Sequence, residues 1–374
     1  MFEFIFDPYN YPFWVLVTAI IVGVMAVISR PFSTYVMFAY PNAKFEAIGN
    51  PFITEKELSR VADSKDLSDF KDALNASKNY NLSGDSTYEL QQSLDDNLVQ
   101  TIEMMQKDSS KKMNDFFNIY IEKIDIYLIK NAIKNKLEDK KIDEKIIDRA
   151  MLPTTKKLLQ EIMESEKQNI PELLKNYGFD KEVLELFSEE NIDYLKLDTT
   201  IDKHIIDKIK QVKVPYKCDK AKQRFVNNII DIINVKNILR AKQLGYDEES
   251  IKKLLLGEGQ EIAPWKLKEI SETDSVPQVI SSLEGTSYYD ALKNAIEDYN
   301  KEGSVQVLEN ALDSHFLKLV ENISTQHYVT IGPSIRFIAS KEYEIQNLKI
   351  IAKGVGEGLS SDIIKSFLIK EAGT

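Results

Sequence analysis

The strongest hydrophobic pattern of the chain lies near its beginning. Residues Pro12–Ser29 are almost continuously apolar, and no charged residue occurs between Asp7 and Arg30. A helix needs about 18 to 20 apolar residues to cross roughly 30 Å of hydrocarbon, so this segment is just long enough. Aromatic residues stand where an interfacial belt would place them, at Tyr9, Tyr11 and Trp14. The pattern predicts a membrane-associated helix within residues 1–35.

The charges that flank this segment bear on its other interpretations. A signal peptide begins with basic residues, whereas Glu3 and Asp7 precede this run, and the run is too long for the apolar core of a signal peptide. Two alternatives stay open: a helix buried against a partner, and a misassigned start with Met37 as the true first residue. The acidic residues before the run and Arg30 after it predict that the body of the protein lies in the cytoplasm.

The rest of the chain shows helical periodicity. In Lys341–Gly354 and the residues just before it, the predicted apolar side consists of Ile338, Ile345, Leu348 and Ala352. This pattern leaves Lys341, Glu344 and Lys349 to solvent or to a partner, and it predicts that Gly354 ends the helix. Because glycine is sparse, with 14 residues, and strand-type alternation is rare, the predicted fold class is all-α.

Two sequence markers recur about every 110 residues. The first marker is an acid or amide followed three places later by an amide or apolar residue, and it begins at Asp125, Asn234 and Glu344. The second marker is an apolar residue followed by an aspartate, and its aspartates are Asp95, Asp202 and Asp313. The distance from the second marker to the first is 30, 32 and 31 residues. A period this long predicts triplicated domains rather than a solenoid.

The repeats define the predicted domains. A hydrophobic N-terminal helix (1–35) precedes three similar helical-bundle domains, at 36–151, 152–262 and 263–374. Each copy has a proline just before its first helix, and the first copy has a predicted capping box formed by Thr54 and Glu57. These prolines are Pro51, Pro153 and Pro264. Each copy closes with a short helix, predicted at Asp143–Met151, Asp247–Leu256 and Ser360–Ile369.

Composition and motifs exclude several classes of function. The net charge of −11 argues against nucleic-acid binding, which needs a surplus of Lys and Arg. The single cysteine, Cys218, allows no intrachain disulfide and no multi-cysteine metal site. The chain has no phosphate-binding P-loop sequence, and its three histidines lack clustered ligand or nucleophile partners. We therefore predict no catalytic, cofactor-binding or metal-binding residues.

Three segments resemble a known family. Val329–Gly354 is similar to the closing signature of the C subunit of archaeal and vacuolar-type rotary ATP synthases, the counterpart of the vacuolar ATPase d subunit. Its matching residues are Gly332, Pro333, Lys341, Glu342, Glu344, Asn347, Leu348 and Ile351. The stretch Phe38–Lys44 resembles the aromatic-rich start of the family, and Leu308–Asp313 resembles its L-E-x-A-L-D sequence. The apolar segment before residue 38 is an extension beyond the usual family start.

The resemblance implies a funnel-like, pseudo-threefold, all-helical subunit without catalysis of its own. Such a protein sits at the cytoplasmic face of the cell membrane on the proteolipid (c/K) ring and receives the central axle, which consists of the D and F subunits. It passes torque from proton or sodium flow towards the nucleotide-binding A and B subunits. Residues Pro12–Ser29 are then expected to enter the bilayer inside the ring lumen or beside it. The alternative is a membrane-anchored α-helical scaffold or adaptor outside a rotary motor.

Two polar sets are the candidate structural or interface residues. The first set lies in the closing signature and comprises Lys341, Glu342, Glu344 and Asn347, together with the apolar Leu348. We expect Glu344 and Asn347 to hydrogen-bond their helix into its own domain. The second set is the three marker aspartates Asp95, Asp202 and Asp313. We expect these to be exposed or helix-capping, because an ion-carrying carboxylate would lie within an apolar span.

Overall fold

The structure is a computed structural model, and it describes residues 7, 9–49, 53–77 and 79–369. Glu3 and Pro51, which entered the sequence argument, lie outside these residues. Within the described part every regular element is a helix, so the predicted all-α class is confirmed.

The first helix, α1 (Tyr11–Ile48), is continuous for 38 residues although it contains Pro31 and Pro41. It is long and apolar enough to cross a membrane by length and composition, as the sequence predicts. The helix extends past the predicted boundary at residue 35, because its C-terminal part packs on the body. The residues of α1 that are buried there are Thr34, Phe38, Pro41, Asn42 and Phe45.

Seventeen further α-helices follow in the described residues, and we group them by the three predicted domains, called segments 1 to 3 below. Segment 1 contains α2 (Glu55–Ala62), α3 (Leu67–Asn75), α4 (Thr87–Asp108), α5 (Asn114–Leu137) and α6 (Ile146–Arg149). Segment 2 contains α7 (Pro153–Glu164), α8 (Ile170–Asn176), α9 (Lys181–Glu185), α10 (Tyr194–Gln211), α11 (Asp219–Gln243) and α12 (Glu248–Lys252). Segment 3 contains α13 (Pro264–Glu272), α14 (Val276–Ser282), α15 (Ser287–Glu302), α16 (Gln306–Gln326), α17 (Gly332–Gly356) and α18 (Ser361–Ser366).

Each segment is built on a hairpin of two long helices: α4 and α5, α10 and α11, and α16 and α17. The helices also pack from one segment to the next, since α5 contacts α10, α11 contacts α16, and α17 returns to contact α4. The apolar residue before each marker aspartate is fully buried in this packing, at Leu94, Ile201 and Leu312. The three hairpins therefore contact one another in a closed circle.

Local sequence signals explain where several helices begin and end. The predicted capping box at the start of α2 is present, with the Thr54 hydroxyl accepting from the Glu57 N–H and Glu57 accepting from the Thr54 N–H. Short closing helices occur at α6, α12 and α18, as predicted. The prediction that Gly354 ends its helix is wrong, because α17 continues to Gly356. A Cβ at Gly354 would lie 2.6 Å from the Ile364 side chain, so this glycine lets α18 approach closely.

Candidate functional site

The three marker aspartates form equivalent ion pairs between neighbouring hairpins. Each aspartate lies on the first helix of its hairpin and meets a lysine on the second helix of the preceding one. The pairs are Asp95–Lys349 (2.5 Å), Asp202–Lys130 (2.7 Å) and Asp313–Lys236 (2.6 Å). Segment 1 thus pairs with segment 3, segment 2 with segment 1, and segment 3 with segment 2. These contacts follow the same circle as the helix packing.

The expectation that these aspartates are exposed or helix-capping is wrong. Asp95 and Asp313 are only 6% and 8% exposed. Asp95 also lies 3.7 Å from Arg149, and Asp313 accepts a hydrogen bond from the Tyr343 hydroxyl at 3.0 Å. Each lysine partner stands five residues after an acid on α5, α11 or α17, so the sequence repeats the lysines, although their partners come from distant helices.

A second set of carboxylates accepts hydrogen bonds from backbone groups at the junctions between segments. Asp125 on α5 accepts from the backbone N–H groups of Met151 and Leu152 at 2.9 Å, just before α7. Asp231 on α11 accepts from the backbone N–H groups of Gln260 and Glu261 at 2.8 and 2.7 Å, just before α13. Glu344 on α17 accepts from the Ile53 N–H at 2.8 Å, just before α2. The third of these contacts connects segment 3 back to segment 1.

This geometry corrects the register of the first sequence marker. The residue equivalent to Asp125 and Glu344 is Asp231, not Asn234, which the sequence spacing favours. Asn234 instead accepts from the Leu256 N–H and donates to the Gly257 carbonyl, both at 2.8 Å. The near-constant spacing of the sequence marker is therefore coincidental in the second copy, where the acid stands three residues earlier.

Asn347 has the same role in segment 3 that Asn234 has in segment 2. Its side chain accepts from the Ile369 N–H at 2.8 Å and donates to the Ile369 carbonyl at 2.7 Å. Asn347 therefore holds the end of its own segment, as expected, whereas Glu344 reaches into segment 1. The adjacent Leu348 is fully buried in the core.

Lys341 and Glu344 form a buried cluster with Tyr80 from segment 1. Lys341 Nζ donates to the Tyr80 hydroxyl at 2.8 Å and lies 3.4 Å from Glu344 Oε1, and Tyr80 also contacts Glu344. Burial lowers the pKa of Lys341 and raises the pKa of Glu344. The prediction that Lys341, Glu344 and Lys349 face solvent or a partner is wrong, because all three bind groups from segment 1. The pattern of α17 alone could not show this, since Tyr80 lies 261 residues away from Lys341 in the sequence.

Glu342 makes another contact between segments 3 and 1. It accepts from the Tyr120 hydroxyl at 2.6 Å and pairs with Lys123 at 2.8 Å. Sequence reasoning missed Tyr80, Tyr120 and Lys123, because nothing near them in the sequence indicates a partner on α17. All four polar residues of the closing signature are thus engaged in contacts within the protein.

A cavity of about 330 Å³ lies beside this cluster. Its wall includes Ser340, Tyr343, Glu344 and Asn347 from α17 and Leu317 from α16. The groups at this cavity hold helices together through the bonds described above. Among the described residues that line it, no serine, cysteine or histidine is paired with a base as a nucleophile would require.

His204 and His315 have local partners, and the cysteine is buried. His204 Nδ1 lies 2.7 Å from Asp180 and its ring stacks on Phe179, while His315 Nε2 lies 2.7 Å from the Ser287 hydroxyl. Burial raises the pKa of the Cys218 thiol to about 12, which leaves it unreactive at neutral pH. The described residues contain no group of three or more His, Cys, Asp or Glu arranged to hold a metal ion.

This arrangement defines a helical structural subunit, whose charged and amide side chains connect helices and segments. The family model described as ATP synthase (C/AC39) subunit matches residues 41–367. The chain belongs to this family, and it is a component of an ATP synthase that is not catalytic by itself.

Curated relatives cover most of the chain. The A-type ATP synthase C subunit of Methanosphaera stadtmanae is 28% identical over 365 residues, covering 95% of this chain and 94% of the relative. The corresponding protein of Thermococcus kodakarensis is 27% identical over 351 residues, covering 89% and 91%. That of Methanocaldococcus jannaschii is 33% identical over 273 residues, covering 70% and 66%. Family membership and helix α1 together indicate association with a membrane.

Proposed function

We propose that this chain is the non-catalytic central-stalk subunit of a rotary A-type ATP synthase. In this role it links the membrane proteolipid ring to the central axle, formed by the D and F subunits. Proton or sodium flow through the ring is thereby coupled to ATP synthesis at the A and B subunits. This proposal is supported mainly by family membership over residues 41–367, together with relatives named as the C subunit of A-type ATP synthases.

The circle of contacts between the hairpins supports a role in transmitting torque. A body that transmits torque must resist deformation. The three aspartate–lysine pairs connect every segment to both others, and three carboxylates bind backbone groups at the junctions between segments. We infer from the same contacts a pseudo-threefold, funnel-like arrangement of three domains. The polar residues of the closing signature, Lys341, Glu342, Glu344 and Asn347, then serve as joints within this body rather than as contacts to the axle or ring.

Helix α1 supports attachment at the cytoplasmic face of the cell membrane. Large apolar residues in Pro12–Ser29 are exposed along the whole segment, including Val15 at 69%, Val22 at 61% and Val27 at 66%. Such a surface is costly in water and favourable in hydrocarbon. We propose that this segment is inserted in the bilayer and that the body remains in the cytoplasm.

The test is the composition and extraction behaviour of native membranes. After gentle solubilisation, the full-length chain should co-purify with the proteolipid ring and the nucleotide-binding subunits, as identified by mass spectrometry. Retention in the membrane without those subunits would contradict the proposal and support the scaffold alternative. The chain should also resist alkaline carbonate, and its release from wild-type membranes would contradict insertion of α1.

A matched pair of variants tests whether α1 is inserted in the membrane, because added lysines should release the chain only when they are placed within α1. Each lysine near the centre of a membrane helix costs about 2.5 to 3.5 kcal/mol, so Val22→Lys with Met25→Lys should release the chain into the carbonate supernatant. The control replaces two exposed apolar residues of the body, Leu244→Lys with Ile363→Lys, and should leave the chain in the membrane pellet.

A further inference from the structure

The junction between segments 3 and 1 differs from the other two junctions, because no peptide link crosses it. Asp125 binds backbone N–H groups that lie 26 and 27 residues later in the chain, and Asp231 binds groups 29 and 30 residues later. Glu344 instead binds the Ile53 N–H, 291 residues earlier. The covalent chain therefore holds the first two junctions together, whereas the third depends on packing and hydrogen bonds alone.

The cavity of about 330 Å³ lies at this third junction. Its wall combines α2 of segment 1 with α16, α17 and the end of segment 3. The apolar side chains of the wall come from both segments, and they are Ile53, Leu58, Leu317, Leu368 and Ile369. About ten water molecules would fill this volume, which lies within the range of roughly 300 to 1,000 Å³ that is typical of small-molecule sites. A molecule in the cavity would therefore contact segments 1 and 3 at the same time.

Ser340 supplies the cavity with a polar group that is not yet engaged. It lies on α17 in the wall of the cavity and is only 5% exposed. Its hydroxyl has no hydrogen-bond partner among the described residues, although a serine within a helix often bonds the carbonyl four residues earlier. The other buried polar groups of the wall, on Tyr343, Glu344 and Asn347, form the bonds described above. Because a buried hydroxyl without a partner costs free energy, Ser340 is placed to bind an occupant.

The charges around the cavity disfavour an ionic occupant. Glu344 Oε1 lies 3.4 Å from Lys341 Nζ, and Lys365 at the rim pairs with Asp63 at 2.6 Å, so these charges are already compensated. An added cation or anion would be buried without a counter-ion, which costs far more than burying a neutral hydroxyl that finds a partner. The apolar wall also offers most water molecules no partner, so an apolar group that replaces them is favoured. The chemistry selects a neutral molecule with an apolar body and one hydroxyl-type head group.

We propose that this cavity is a binding site for a small neutral amphiphile of the alkylphenol or alcohol class. The apolar body of the ligand packs between Leu58 of segment 1 and Leu317 of segment 3, and its head group hydrogen-bonds the Ser340 hydroxyl. The bound molecule contacts both segments and thereby stabilises the one junction that no peptide link crosses. This inference concerns the folded body itself and does not depend on the proposed function.

Disulfide tethering on the full-length chain in detergent tests the site. Ser59→Cys places a thiol in the wall of the cavity, and the one native cysteine, Cys218, is fully buried. Three disulfide reagents share a phenylalkyl body and carry a neutral hydroxyl, a carboxylate or an ammonium head group. Under competition with mercaptoethanol, mass spectrometry should detect at least roughly tenfold more of the neutral adduct than of either charged one. The control, Leu244→Cys, is 64% exposed on α11, meets the same detergent and should capture the three reagents about equally.

Two variants in the Ser59→Cys background separate the contribution of the head group from that of the cavity volume. Ser340→Ala removes one hydroxyl and should lower capture of the neutral reagent by about three- to tenfold. Leu58→Trp fills the cavity from the side of α2 and should abolish the preference for the neutral reagent. Equal capture at the two cysteines, or a preference that survives both variants, would overturn the site. Stronger capture of the carboxylate or the ammonium reagent would overturn the assignment of a neutral ligand.

Hydrogen exchange measures whether the occupant stabilises the junction. In the chain that carries the neutral adduct, exchange of the Ile53 N–H should slow by at least roughly tenfold, because a ligand that binds only the closed junction lowers the population of the open one. The N–H groups of Leu152 and Gln260 at the other two junctions are internal controls and should exchange at unchanged rates. Unchanged exchange at Ile53 in a chain that has captured the reagent would overturn the stabilising role.

Discussion

The ion pair between Asp95 and Lys349 joins segment 1 to segment 3, and removing its two partners separately should have unequal effects. The side chains are only 8% and 16% exposed, and Lys349 Nζ lies 2.5 Å from Asp95 Oδ1. Asp95 has a second cation, since Arg149 Nε lies 3.7 Å from its other oxygen. Lys349 has no second carboxylate among the ion pairs of the described residues. Loss of Asp95 therefore leaves the Lys349 ammonium group without a counter-ion, whereas loss of Lys349 leaves Asp95 with Arg149 nearby.

The magnitudes follow from burial. Breaking a buried pair by removing one partner costs about 3 to 5 kcal/mol, because the remaining charge is uncompensated. We expect this full range for Asp95→Asn, which leaves the Lys349 ammonium group buried near Arg149. For Lys349→Met we expect about 1 to 3 kcal/mol, because Arg149 still compensates Asp95. The matched control is Asp202→Asn, whose carboxylate side chain is 26% exposed, with an expected cost of about 1 kcal/mol.

The loss of unfolding free energy caused by Asp95→Asn should also depend on pH. Burial already lowers the pKa of Lys349, and the charge of Asp95 opposes that shift. Without Asp95, the pKa of Lys349 in the folded state falls further below its value in the unfolded state. A base with a depressed folded-state pKa destabilises the protein while it is protonated, and the penalty disappears as the pH rises above that pKa. The free-energy deficit should therefore be smaller at a pH near the ordinary lysine pKa of about 10.4 than at neutral pH.

Urea unfolding of the full-length chain in detergent, followed by circular dichroism, measures these differences. The expected order of destabilisation at neutral pH is Asp95→Asn first, Lys349→Met second and Asp202→Asn last. Equal losses for Asp95→Asn and Lys349→Met at both pH values would refute the reasoning. A deficit for Asp95→Asn that grows with pH would refute it as well, because the buried ammonium group would then not be its cause.

Two further predictions concern buried positions. Burial raises the pKa of Asp231 to about 6. Between about pH 4 and about pH 6 the folded state therefore keeps a proton on this carboxyl group that the unfolded state has lost. Stability should fall by about 2 to 3 kcal/mol from pH 4 to pH 6.5 on account of this group, and unfolding curves of Asp231→Asn should lack that decrease. A Cβ at Gly332 would lie 2.8 Å from the His327 carbonyl and 2.9 Å from Ser324. Gly332→Ala should therefore lower the unfolding free energy by about 2 to 4 kcal/mol, whereas Gly23→Ala, with open space around it, should change it by less than about 0.5 kcal/mol.

Local features of this fold could be predicted from the sequence. The long α1, the Thr54–Glu57 capping box and the short closing helices each depend on residues close together in the chain. Gly332 and Pro333 of the closing signature have a physical role at the start of α17, where the chain turns tightly against α16.

The partners of the polar residues could not be predicted, because they come from distant segments. Amphipathic periodicity assigns Lys341 to solvent or to a partner, whereas the structure buries it against Tyr80 of segment 1. Equal spacing favours Asn234 as the middle copy of the first marker, whereas backbone hydrogen bonds give that role to Asp231. A one-dimensional pattern shows which positions are polar, and only the packing of segments 1 and 3 shows which polar groups meet.

The return of α17 to α4 has a mechanical consequence. In a linear array of three units, a force applied to one end reaches the other through each joint in series, and the end units deflect most. Here every segment contacts both others, so a load on one segment is shared by two contacts. Breaking one contact between segments would turn the closed array into an open one. The array would then deform more than the loss of one contact out of three suggests, because the load could follow only one path.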